Sequence, residues 1–161
     1  MALPTVERLR ELFILTDDGR LVNRVSRGGM ALAGMEAGRV DSGGYLQVEI
    51  DGKRLMTHRI IYAMATGAWP LQYIDHISGD KTDNRPSNLR DVSASVNMQN
   101  QRNANRGSST GVLGVYPHGG RFRARIVVNG RQRHLGVFAT AAEAHEAYVT
   151  AKRVFHPGGM L

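Results

Sequence analysis

Between Tyr73 and Asn97 the chain reads YIDHISGDKTDNRPSNLRDVSASVN, and four residues in this stretch could do chemistry together. Asp75 is a charged oxygen ligand for a hard cation. The adjacent His76 is a proton acceptor whose ordinary pKa of about 6.5 suits a base near neutral pH. Asn88 can hold loop geometry, and Asn97 offers an amide oxygen. Breaking a phosphodiester in line needs a nucleophilic water, a base for its proton, and charge stabilisation at the departing oxygen. A divalent cation on one carboxylate and one amide keeps positions open for phosphate and water, as magnesium prefers. An Asp-His pair by itself is more often a turn or surface feature, so the weight rests on the pattern around it.

The elements that must position these residues follow from periodicity and turn chemistry. Tyr73–Ile77 predicts a short strand, on which Asp75 and His76 point to opposite faces. A polar loop over 78–87 leads to a second short strand around 88–92, then to a helix from about Ala94 to Asn103 with Ser93 as N-cap. Asp80, Asp83 and Asn84 lack the terminal glutamate of a calcium loop and read as a solvated turn. Arg85 and Arg90 are either phosphate contacts or solvated charges. Upstream, His58–Thr66 predicts a helix with Ile60, Ile61, Met64 and Ala65 as its apolar stripe, ending before Gly67 and Pro70. His58, which opens that helix, is either structural or a contact to phosphate or the reacting groups. From Leu9 to Thr57 the pattern predicts short strands joined by turns. Asp18-Gly19 makes a hairpin between ELFIL and RLV, and Tyr45–Ile50 alternates as a half-buried strand. Asp51-Gly52 turns that strand into Arg54–Thr57. Residues 28–44 read as a Gly-rich loop without chemistry.

The net charge of +7 is not spread evenly. Residues 1–101 hold 12 Lys/Arg against 12 Asp/Glu, whereas residues 102–161 hold 9 Lys/Arg against Glu143 and Glu146 alone. A neutral front and a basic tail point to a polyanion held by the tail. Residues 102–110, RNANRGSST, read as a polar linker able to lie along DNA. Beyond it, Gly114–Pro117, Arg121–Val128 and Arg131–Phe138 predict three strands, turned at Gly119-Gly120 and Asn129-Gly130. Thr140 and Glu143 predict a capping box opening a helix to about Phe155. In RFRARIVV, Phe122, Ala124 and Ile126 share one face, able to pack on Ala144, Ala147, Tyr148 and Ala151. Arg121, Arg123 and Arg125 share the other face. By alternation, these arginines with Gln132 and His134 are the DNA contacts, able to meet base edges or phosphates in a major groove.

Two resemblances organise these pieces. Residues 55–103, through LMTHRIIYAMATGAWP, IDHISGDKTDNRPSNLRDV and NMQNQRN, resemble the HNH (ββα-metal) endonucleases of the homing type found in phage genomes. The resemblance implies that His76 is the general base and that Asp75 and Asn97 are the metal ligands. It implies that Asn88 holds the loop and orients the histidine. It further implies Mg2+ or Mn2+ as cofactor, and the chain lacks the zinc-binding cysteine pairs of some relatives. Residues 111–155, GVLGVYPHGGRFRARIVVNGRQRHLGVFATAAEAHEAY onward, resemble the plant ethylene-response-factor (Apetala-type) DNA-binding domain. There Tyr116, Pro117 and His118 depart from the plant pattern, so the plant target sequence does not transfer.

The expected fold class is α+β: an N-terminal β-rich region over 1–54, an HNH finger over 55–103, a linker over 104–110, and a three-stranded antiparallel sheet with one helix over 111–161. The expected activity is metal-dependent hydrolysis of double-stranded DNA. A single finger cuts one strand, so double-strand cleavage calls for a homodimer on DNA or sequential nicks. The absence of cysteine excludes disulfides and zinc–cysteine sites and fits a reducing cytoplasm, that of a bacterial host if the chain is phage-encoded. No apolar run approaches the roughly 18–20 residues of a membrane span, and MALPTVERLRELFIL lacks a signal-peptide pattern, so no membrane partner is expected. The alternatives are a DNA-binding regulator without cleavage and, with fewer supporting residues, a nuclease of structured RNA.

Overall fold

A computed structural model describes residues 2–156. The chain forms two compact units, Met1–Val92 and Ser93–Leu161. Residues 157–161, the end of the expected C-terminal domain, lie outside the described residues.

The first unit opens with a helix rather than a strand. α1 spans Val6–Leu12, capped by the Thr5 hydroxyl, which accepts from the Arg8 amide. The β-rich expectation from Leu9 onward is corrected here. Val6, Leu9 and Leu12 recur at helical spacing and are all buried, a period that the short window ELFIL hides. β1 (Phe13–Leu15) and β2 (Leu21–Asn23) then form the expected hairpin around Asp18-Gly19. The stretch 28–44 is mostly loop but contains β3 (Arg39–Val40), which pairs with β4 (Leu46–Ile50), itself paired with β5 (Lys53–Met56). α2 covers Thr57–Thr66 and stops at Gly67, which takes a left-handed φ of 82°. Its inner stripe is Ile60, Ile61, Ala63 and Met64, and Ala65 is exposed, one position away from the expected stripe. Leu9, Phe13, Leu21, Ile50, Ile60 and Ile61 make the centre of the core.

β6 (Tyr73–His76) and β7 (Leu89–Val92) form a two-stranded antiparallel ribbon, with a 3-10 turn at Pro86–Asn88 leading into β7. The Asp91 carboxylate fastens the entry to β6 by accepting from the backbone amides of Leu71 (2.7 Å) and Gln72 (3.0 Å).

The second unit starts with α3 (Ala94–Gln99), N-capped by Ser93 and shorter than expected, since Asn100 already ends it. β6, β7 and α3 thus follow one another in the order of a ββα finger. β8 (Val115–His118), β9 (Arg121–Val128) and β10 (Arg131–Phe138) form an antiparallel sheet in the order β10-β9-β8. At the β9–β10 turn Asn129 and Gly130 take φ of 51° and 75°, the positive values a two-residue hairpin turn requires. α4 (Ala141–Phe155) carries the predicted capping box and lays Ala144, Tyr148 and Ala151 on the sheet. Gly114 is needed beneath that helix: its φ is +77°, and an added Cβ would lie 2.1 Å from the Tyr148 ring. Gln101, just before the linker, is tied down because its carbonyl accepts from the buried Lys152 ammonium at 2.6 Å. The whole is a mixed α+β fold, built from small antiparallel sheets and helices as expected. Among the described residues, no helix is long and apolar enough to cross a membrane.

Candidate active site

The β6–β7 ribbon sorts the motif by face. In antiparallel register Asp75 lies opposite Arg90, and His76 opposite Leu89, so the pairs project to different sides. Asp75 is 5% exposed, and its Oδ2 accepts from Arg90 Nε at 2.8 Å and Nη2 at 2.7 Å. A carboxylate buried this deeply needs such a partner, because desolvating an unpaired charge is costly. Arg90 is therefore neither a loop residue nor a solvated charge. It stands on β7 against the candidate metal ligand.

His76 lies among rings. The His58 ring meets it edge-on at 5.2 Å between centroids, and Tyr45 stands 6.3 Å from His76 and 5.5 Å from His58. Lys81 closes this group with its ammonium 4.4 Å over the Tyr45 ring. His58 comes from the first turn of α2 and is buried. Burial, together with the neighbouring His76 and Arg59, pushes its pKa down to about 4, so the ring is neutral at physiological pH.

The loop between the strands is held from within. Asn88 Oδ1 accepts from the Ser78 amide at 2.8 Å, and its Nδ2 donates to the Asp83 carbonyl at 2.7 Å. Both ends of the loop are thereby fastened to one side chain. Asp80 accepts from the Thr82 amide and hydroxyl, and Arg85 holds the Asp83 carboxylate at a pKa of about 2. Asn84 does not fit the expected solvated turn. It is 5% exposed, and its side-chain oxygen is 2.9 Å from His76 Nε2. Spacing could not reveal this, because the residue is one of several polar side chains in an apparently exposed loop. Tyr45 was equally hidden, on the polar side of an alternating strand.

The first unit thus brings Asp75, His76, Asn88, His58 and Arg90 together, and adds Asn84, Tyr45 and Lys81. Asn97 stands on α3, in the second unit. So do the expected DNA contacts. Tyr116 pairs with Arg123 and His134 with Arg125 across the sheet, while Gln132 pairs with Val127. Phe122, Ala124 and Ile126 turn inward, which leaves Arg121, Arg123 and Arg125 on the outward face with Gln132 and His134. The Arg125 guanidinium lies 3.7 Å over the Tyr116 ring, and its Nη1 donates to Gln132 Oε1 at 3.1 Å. Arg123 Nε is buried without a hydrogen-bond partner among the described residues.

As a donor set, the motif suits a hard cation that keeps much of its water. Asp75 supplies a buried carboxylate, and no group of three or more His, Cys, Asp or Glu among the described residues could cage a metal. A cation held by Asp75 would share that carboxylate with Arg90.

No curated protein and no solved structure matches the chain. Residues 55–99 match the family model described as HNH endonuclease. That segment carries β5, α2, the ribbon, its loop and α3, and the match supports a nuclease of the HNH class whose substrate is DNA.

Proposed function

We propose that this chain is a metal-dependent DNA endonuclease in which His76 is the general base. The observation that carries this reading is the buried histidine itself: a ring held edge-on by His58 and hydrogen-bonded by Asn84, beside a buried carboxylate on the same strand. His76 takes the proton of the attacking water as its oxygen bonds to phosphorus and the P–O3′ bond breaks in line; the departing 3′ oxygen takes a proton from solvent water, giving 5′-phosphate and 3′-hydroxyl ends. Asp75 and Asn97 would hold the divalent cation, Mg2+ or Mn2+, which would neutralise charge on the phosphate and at the departing oxygen. Asn88 keeps the loop closed, so the histidine and the carboxylate hold their relative geometry. Arg90 anchors Asp75 and would stay beside the carboxylate that holds the cation.

The outward face of the C-terminal sheet binds the duplex through Arg121, Arg123, Arg125, Gln132 and His134. The unmatched Arg123 Nε donor and the guanidinium platform on Tyr116 support an anionic partner for this face. The pairing of such a sheet with an HNH segment supports a phage or mobile-element endonuclease of the homing type.

The test is cleavage of supercoiled plasmid with Mg2+, beside EDTA and His76→Ala controls. The expected result is nicking that EDTA abolishes and that the variant loses while still binding DNA. Tight binding without cleavage, in Mg2+ or Mn2+, would instead identify a DNA-binding regulator.

A further inference from the structure

The geometry points to Asn84 as the positioning residue that selects the reactive nitrogen of His76, a role resting on the nuclease reading above. A neutral imidazole carries one proton, and the partner of one nitrogen decides where it sits. Asn84 Oδ1 lies 2.9 Å from Nε2, and an amide oxygen can only accept. The proton is therefore held on Nε2, and the basic lone pair falls on Nδ1.

Three further contacts make this placement deliberate. Asn88, the asparagine expected to orient the histidine, has its amide oxygen on Ser78 and its amide nitrogen on Asp83. Its side chain fixes the backbone immediately before Asn84, and Asn84 makes the contact to the ring. The Asn84 amide in turn donates to the Thr82 carbonyl at 3.1 Å, inside the turn that Asp80 closes. From the other side comes the N-terminal hairpin. Gly19, with φ of +80°, packs so closely that a Cβ there would lie 2.3 Å from Arg85 N and 2.6 Å from the Asn84 carbonyl carbon. Only a glycine allows the β1–β2 turn to back this segment. One purpose of the N-terminal region is thus to press the Asn84 backbone into place.

The experiment is nitrogen-15 NMR of the full chain labelled in histidine, with His76 assigned by subtraction of a His76→Gln spectrum. Wild-type His76 is expected as the Nε2-protonated tautomer. Asn84→Ala is expected to give a mixture of tautomers and to lower kcat for plasmid nicking by about 10- to 100-fold, with KM for DNA little changed. Asn84→Asp, which restores an acceptor, is expected to recover the tautomer and part of the rate. A merely structural role would lose folded protein in both variants alike and would leave the tautomer of the remaining folded fraction unchanged. A wild-type His76 protonated on Nδ1 in an active enzyme would overturn the inference alone, and that reading requires neither Asn84 variant to fold. Absence of any cleavage by the wild type would overturn the nuclease reading, and with it the catalytic purpose of the bond.

Discussion

In the first unit Asp75, His76, Asn84 and Asn88 are each less than a tenth exposed, and each is engaged by a neighbour through its side chain. In the second unit the arginines of β9 face outward, and Arg125 is steadied by an aromatic ring and one amide. The two regions handle polar groups in opposite ways, as the proposed division into a proton-transfer site and a DNA-holding face would require. Proton transfer needs atoms fixed to within fractions of an ångström, which buried, fully partnered side chains provide. Holding a polyanion needs charge at a surface that can adjust, which long side chains over a packed sheet provide.

The comparison breaks most visibly at the packing under the basic sheet. Gly114→Ala forces a Cβ into the Tyr148 ring at a backbone angle that suits glycine, and should cost at least about 3 kcal/mol. Thermal unfolding should show the loss, and DNA affinity should fall with it.

A pH effect of similar size belongs to the first unit. His58 has its folded pKa lowered to about 4, so between that value and about 6.5 the unfolded chain binds the extra proton. The stability gained by burying the neutral ring is whole above about pH 6.5 and is lost as pH falls towards 4, a change of about 3 kcal/mol. Denaturant unfolding across this range should show the decline, and His58→Gln should flatten it.

How much of this arrangement could be read beforehand depended on whether a signal was local. The β9–β10 hairpin, the Thr140–Glu143 box and the Ser93 cap are short-range patterns, and each lies where the sequence placed it. α1 was lost because a helix of 7 residues shows barely two turns of periodicity. In the ribbon, Asp75 and His76 were legible by residue type, but their partners were not. Arg90 meets Asp75 through strand register, and Asn84 meets His76 through a loop folded back on itself. Such contacts arise from tertiary closure, which neither propensity nor spacing encodes.

A smaller effect follows from the ion pair. Arg90→Ala removes two charge-assisted hydrogen bonds from a buried carboxylate and should lower stability by about 2 kcal/mol. Arg90→Lys should recover part of it, as chemical denaturation can measure. The smallest change in energy lies on the sheet. Arg123→Ala with Arg125→Ala should leave folding intact and reduce the salt dependence of DNA binding by about 2 in log–log slope, one phosphate contact for each arginine. A titration of DNA affinity against salt reads this directly, and an unchanged slope would move the anion-binding face elsewhere.

The most direct test of the account is single-turnover nicking at a series of protein concentrations, for His76→Ala beside the Arg123→Ala, Arg125→Ala double variant. The account predicts that the histidine variant loses the saturating rate by about 100- to 10,000-fold at unchanged half-saturation. The arginine variant should reach the wild-type rate at higher concentration. If His76→Ala cleaves at the wild-type rate once saturated, His76 is not the base and the central claim fails.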